Sequence, residues 1–242
     1  MLNEFTISID IAKKSDYTGI QIYKKIPTII KGSQLLDQKD MQVSSFGIIY
    51  MDMFQGLKYE DICDRILKIA TLDQFLGRTD IILDGTGVGE AVVDGLRERK
   101  LKPYPIVFTN GNQVNEVYDK NSLVFGSGKG GFGSMNVLKQ LNVPKKDMVD
   151  AAVLLLQQNR VKMGKFLKFK EEFLKQLSGF KGKINDKNNK RFEAETENLH
   201  DDLVACFLMF AWWQHYQEPR EKEEIHDDFF EEKFETDFKL FS

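Results

Sequence analysis

Between Leu203 and Trp213 the chain reads LVACFLMFAWW, without a single polar residue. A helix that is apolar on every side cannot lie on a surface; it belongs inside a core or inside a bilayer. This run is far short of the ~20 residues needed to cross a membrane. It therefore predicts a buried helix from Asp201 to about Tyr216, around which the rest of the chain must be built. The 242 residues are ample for such a core. A composition 42% hydrophobic and 29% charged is that of an ordinary globular protein. The first residues show no basic stretch leading into an apolar one, so no signal peptide is visible. Cys63 and Cys206 sit in apolar helical patterns without metal-ligand spacing and are expected to be buried, reduced thiols of a cytoplasmic protein.

The remaining elements alternate. Phe5, Ile7, Ile9 and Ile11 interleave with Thr6, Ser8 and Asp10, the period of a strand with one buried face. After a polar turn over Lys13–Asp16, Tyr17–Tyr23 completes a hairpin, and Ser44–Met53 forms a third strand. Tyr59–Leu76 carries Ile62, Ile66, Ile69 and Ala70 at helical spacing. Ile81–Leu83 is a short strand ending on Asp84; a glycine turn follows, then a helix to about Arg99 and a strand over Ile106–Phe108. Further helices are expected over Asp147–Gln158 and Phe166–Phe180, with a hairpin or loop over Gly182–Arg191. Alternating strands and helices behind an opening hairpin predict an α/β fold with a mixed sheet flanked by helices.

Several acidic residues occupy unusual places. A carboxylate in an apolar strand is costly unless it is paired or holds a cation, and Asp10 lies between Ile9 and Ile11. Asp84 ends an apolar strand, where ligand sites of α/β sheets tend to lie. Asp201 and Asp202 begin the apolar helix, where the helix dipole favours negative charge. Singly, each is better explained by a strand-end turn or a helix cap. Together they supply the oxygen ligands that a hard divalent cation requires, and two such ions can drive phosphodiester hydrolysis. No Ser/His/Asp or Cys/His set competes, because His200, His215 and His226 all fall late in the chain. His200, beside Asp201, is either an accessory group or a plain polar residue before the helix.

The net charge of −3 conceals an asymmetry. Lysines crowd the stretch from Lys165 to Arg191, among them Lys168, Lys170, Lys175, Lys181 and Lys183. Such a face suits a phosphate backbone, although on charge alone a solvated lysine surface is the first explanation. From Glu218 onward the chain is acidic, with Phe229, Phe230, Phe234, Phe238 and Phe241 at intervals compatible with a helix formed on a partner. The expected division is a domain over 1–217 and a tail over 218–242. The glycine-rich stretch Gly126–Gly133 is not a P-loop: Leu123 stands where the motif needs its first glycine, and Gly130 where it needs Ser or Thr. The Asp84–Gly89 turn is similar to phosphate loops of actin-like ATPases, a weak signal alone.

Read in order, Ser8-Ile9-Asp10, Ile82-Leu83-Asp84-Gly85-Thr86-Gly87-Val88-Gly89, Val143-Pro144-Lys145 and His200-Asp201-Asp202-Leu203-Val204-Ala205 resemble the nuclease domain of large terminase subunits, the DNA-packaging motors of tailed bacteriophages and related viruses. The resemblance spans residues 5 to 216. It implies an RNase H-like fold and cleavage of double-stranded viral DNA with two Mg²⁺ or Mn²⁺ ions. On that match Asp10, Asp84 and Asp201 or Asp202 are the metal-binding acids, and Asp16 falls on a further acidic position. Lys145, Lys168, Lys170, Lys181, Lys183 and Arg191 are the candidates to contact DNA. The implied partners are DNA, a portal ring and an ATPase motor or small terminase subunit, in a host cytoplasm and without a membrane.

Large terminases carry an ATPase before the nuclease, and no Walker A pattern precedes it here. An excised domain is the expectation. Two rivals remain: a Holliday-junction resolvase on the same fold, and a packaging module that binds DNA or a portal without cutting. The actin-like ATPase is more distant.

Overall fold

The computed structural model describes residues 3–12, 16–30, 41–124, 135–184, 190–194 and 201–224, with side chains described over 3–12, 16–28, 43–118, 138–180 and 201–217. The glycine-rich stretch 126–133, His200, His226 and the tail beyond Glu224 lie outside the described residues.

The hydrophobic alternation at the start forms β1 (Phe5–Asp10), which pairs antiparallel with β2 (Tyr17–Ile30); β2 pairs antiparallel with β3 (Met41–Gln55). Helix α1 (Tyr59–Ala70) then crosses the sheet to β4 (Thr79–Asp84), which lies parallel to β1 on its other side. Helix α2 (Gly89–Glu98) leads to β5 (Pro103–Thr109), followed by β6 (Asn115–Val124) and β7 (Met135–Pro144). Helix α3 (Lys145–Gln157), the short β8 (Val161–Met163) and α4 (Lys170–Gly179) come next. A separate hairpin of β9 (Phe180–Ile184) and β10 (Lys190–Ala194) precedes α5 (Asp202–Glu224). The main sheet has the order β6-β7-β5-β4-β1-β2-β3-β8. It is mixed, as the alternation of elements predicted.

Two cores sandwich this sheet. On one face Ile7, Ile9, Ile20, Ile22, Ile81 and Leu83 meet Ile62 and Ile66 of α1 and Val92 and Leu96 of α2. On the other, Ile82, Ile106, Leu141 and Val143 meet α3, α4 and α5. Every residue of α5 from Leu203 to Trp213 is buried, as its composition required. Among the described residues no helix is long and apolar enough to cross a membrane.

β1 departs from the single buried face expected of it, since Thr6 and Ser8 are buried as well. The reason is α5, which lies across their side of the strand. Ser8 Oγ donates to the Cys206 carbonyl at 2.7 Å, and Gln214 Nε2 donates to Thr6 Oγ1 at 3.1 Å. Next door, Trp213 Nε1 donates to buried Asp80 Oδ2 at 3.1 Å. Polar groups on a strand are tolerated inside when a helix supplies their hydrogen bonds.

Other differences are local. The first helix ends at Ala70, not Leu76, because Phe75 turns inward to pack edge-on against Phe5, with ring centroids 5.0 Å apart. The helix expected from Phe166 starts at Lys170, since Phe169 takes a left-handed conformation (φ 61°) that no helix can continue through. The sequence pattern marks none of β6, β7 and β8 as strands. β6 lies at the sheet's edge and its first residues are largely exposed, so its sequence lacks the apolar contrast that marks a strand.

Candidate metal centre

β1 and β4 run side by side with Ile9 opposite Leu83. Their last residues, Asp10 and Asp84, therefore finish neighbouring strands at the same end of the sheet, roughly 5 Å apart by ordinary strand spacing. Two residues earlier, Ser8 bonds to α5 and Ile82 packs in the α5-side core. Side chains alternate along a strand, so Asp10 and Asp84 both turn to that same face. The site is thus at the carboxyl ends of parallel strands, where open α/β sheets bind ligands.

The third element arrives because of a glycine. Gly19 of β2 is opposite Asp10 in register. A Cβ there would stand 3.0 Å from the Asp202 carbonyl oxygen and 3.3 Å from its Cβ. A side chain here would require the strand or the start of α5 to give by a few tenths of an ångström. The first turn of α5 is pinned on the same spot: Cys206 Sγ donates to the Gly19 carbonyl at 3.4 Å, and Gln176 Oε1 of α4 accepts from Leu203 N at 3.1 Å. Asp201 is half-buried and opens the helix, its carbonyl accepting from Ala205 N at 2.7 Å. Asp202 is buried.

The charges sense one another. Burial pushes the Asp10 carboxyl well above its ordinary value, and Asp84, Asp202 and Asp201 push it further, while Lys145 at the start of α3 pulls it back. Asp84 is also raised, chiefly by burial, against the opposing effect of Thr86, whose backbone N donates to Asp84 Oδ1 at 2.8 Å, and of Lys145. The buried Cys206 thiol is raised well by burial and then by Asp10, which keeps it protonated. Four carboxylates and one lysine thus share a single electrostatic neighbourhood. In this conformation, among the described residues, no three His, Cys, Asp or Glu side chains close into a ligand shell.

The glycines after Asp84 serve chain closure. Gly87 has φ 58°, and a Cβ on Gly89 would fall 1.9 Å from the Asp84 carbonyl oxygen. The turn bends back onto Asp84 itself.

Other predicted residues lie elsewhere. Asp16 is exposed, and its Oδ1 accepts from the backbone N of Tyr17 at 2.9 Å; it is not among the groups acting on Asp10. Lys168 Nζ lies 3.0 Å from Oδ1 of Asp52, a buried carboxylate of β3 that also bonds Arg65 of α1. Lys170 is the first residue of α4, and Lys181, Lys183 and Arg191 fall on the β9–β10 hairpin, Arg191 opposite Lys183. Gly19 and Gln176 were missed. A glycine inside a strand pattern signals close backbone approach and could have pointed to Gly19; nothing local marks Gln176.

No protein-family description matches this chain, and none of the curated proteins does. Solved structures do. The large terminase nuclease from thermophilic phage G20c is 16% identical with a TM-score of 0.52, over 88% of this chain and 82% of that one. It has also been crystallised with bound magnesium and with bound cobalt. The Thermus phage P74-26 large terminase nuclease domain is 15% identical with a TM-score of 0.51, over 86% of this chain and 78% of that one. At such identities the likeness is one of fold. The RNase H-like arrangement implied by the sequence motifs is the arrangement observed.

Proposed function

We propose that this chain is a metal-dependent endonuclease that cuts double-stranded DNA during viral genome packaging. The observation that carries the reading is the convergence of Asp10, Asp84, Asp201 and Asp202, with Asp10 pushed well above the ordinary carboxylate range by burial and by the other three. Carboxylates that disfavour one another's ionisation are stabilised by a shared cation. An all-oxygen donor set suits Mg²⁺ or Mn²⁺ rather than a softer metal. Asp10, Asp84, Asp201 and Asp202 are the residues that would hold the ions. When bound, such a pair lowers the pKa of a water and stabilises the charge developing on the leaving oxygen of a phosphodiester.

The chain's own residues do the rest. Lys145, at the start of α3, brings a positive charge to Asp10 and Asp84 and is suited to hold a phosphate oxygen there. Cys206 stays neutral behind Asp10 and adds no competing charge. Gly19 and Gln176 fix the start of α5, so that two of the four acids are carried on a rigid element. The basic β9–β10 hairpin and Lys170 would track the DNA backbone. A portal ring and an ATPase motor are the partners such a nuclease would work beside.

Plasmid digestion with Mn²⁺, Mg²⁺ or EDTA tests the proposal. Cleavage with either ion, none with EDTA and none by Asp84→Asn is the expected pattern. Cutting by Asp84→Asn at the undisturbed rate would overturn the assignment, and a strong preference for four-way over linear duplex would turn it into a resolvase.

A further inference from the structure

Beyond the carboxylates, at the same end of the sheet, a recess of about 480 Å³ is lined by Thr109, Gly111, Asn112, Gln113, Asn115 and Asn142. Its chemistry is unusual for a surface: four carboxamides, one hydroxyl, a glycine and no charged group. Residues 110 to 116, the turn after β5 and the first two residues of β6, are all exposed. The recess is partly organised from within, since Asn142 Oδ1 accepts from Gln140 Nε2 at 2.7 Å and Asn115 Nδ2 donates to the Gln113 carbonyl at 3.4 Å.

Its location follows from register. Asp84 stands opposite Ile106 of β5, and Thr109 lies three residues farther along that strand. At the usual strand rise and spacing, the recess begins roughly 11 Å beyond Asp84, or about three base-pair steps along a duplex. Phe108 and Val143 pack in the α5-side core, so by alternation Thr109 and Asn142 face the other way, around the sheet's end from the carboxylates. A duplex seated over the carboxyl ends of β1 and β4 would extend across the neighbouring end of β5, where the recess opens.

The geometry points to the Thr109–Asn115 turn, with Asn142, as a charge-neutral DNA-contacting surface that holds duplex beside the cutting centre. This rests on the nuclease reading above. Carboxamides offer both donors and acceptors, which suit phosphate oxygens, sugars and base edges alike. Because they carry no charge, they displace no counterions from the DNA. Their contribution should therefore be insensitive to salt, in contrast to lysine contacts.

The test is a fluorescence titration of a labelled linear duplex with the full chain, in EDTA, across a series of salt concentrations. The double variant Asn112→Ala/Gln113→Ala should bind about tenfold more weakly, with the slope of log K against log salt unchanged. Gln113→Glu, which keeps the shape and adds a negative charge, should bind more weakly than Gln113→Ala. A thermal melt matching the parent protein shows that the exposed turn has been altered without loss of fold. If the double variant binds as the parent does, or if its loss comes with a flatter slope, the surface is not what is inferred here. If the parent protein binds no duplex and cuts none with Mn²⁺ or Mg²⁺, the nuclease reading fails first.

Discussion

Gly19 of β2 and the first residue of α5, Asp202, meet backbone to backbone: a Cβ on Gly19 would stand 3.0 Å from the Asp202 carbonyl oxygen. Since Gly19 is also the register partner of Asp10, one missing side chain decides how closely two of the candidate ligands approach. Gly19→Ala forces either the strand or the helix start to shift. The expected cost is about 1–3 kcal/mol, and a 242-residue chain loses about 2–4 °C of melting temperature per kcal/mol. Cleavage should fall further than stability does, because Asp202 moves with the helix. Calorimetry beside a plasmid assay checks both, and an alanine variant that cuts and melts normally would show that the contact is slack.

Asp10 links stability to pH. A carboxyl whose folded pKa lies above its unfolded value holds its proton more tightly in the folded chain. Below the ordinary aspartate value of about 4 both states are protonated and the group is neutral to stability. As pH rises through that value to the raised one, the fold is progressively weakened. Asp10→Asn removes the effect, so in EDTA its advantage in melting temperature over the parent should grow from about pH 4 toward neutrality. Mn²⁺ should raise the melting temperature of the parent and not that of the variant. The variant should also be inactive. A pH-independent difference in melting temperature would show that Asp10 is not under this strain.

The lysines should not behave alike. Lys168 already lies against the buried carboxylate of Asp52, whereas Lys170, Lys181 and Lys183 begin α4 or fall on the β9–β10 hairpin. Replacing those three with Gln should flatten the salt dependence of duplex binding by roughly 0.9 per lost phosphate contact. Lys168→Gln should leave that slope unchanged and lower stability only slightly, by about 0–1 kcal/mol, since its side chain is mostly exposed. A salt slope that moves with Lys168 would place its ammonium on DNA instead.

The Trp213–Asp80 hydrogen bond ties α5 to β4 below the site. Trp213→Phe keeps an aromatic ring but withdraws the N–H from a buried acceptor, at a cost of about 1–3 kcal/mol. Asn3 Nδ2 still donates to the other Asp80 oxygen at 2.7 Å, which should hold the loss to the lower part of that range. Chemical denaturation of the two proteins measures it.

The sequence by itself determined the elements and the kind of chemistry. Apolar runs with a period of two or of 3.6 mark strands and helices because each element buries whatever lies on its inner side, and that is local information. The all-apolar helix after Asp202 had to be central, and aspartates at the ends of apolar elements were conspicuous because isolated charges avoid such places. Only the tertiary structure brings Asp10, Asp84, Asp201 and Asp202 within electrostatic reach of one another. Their proximity depends on β1 lying parallel to β4 and on α5 returning across β1 nearly two hundred residues later, pairings that no local pattern encodes. The same applies to β1's second buried face, where Thr6 and Ser8 read as solvent-facing until α5 covers them. It applies as well to β6, whose edge position removes the burial contrast that makes a strand legible, and to Gln176, an unremarkable helix residue until α5 begins beside it. What a residue is can be read from its neighbours in the chain, but what it meets is settled only when the sheet is ordered and the last helix is laid on it.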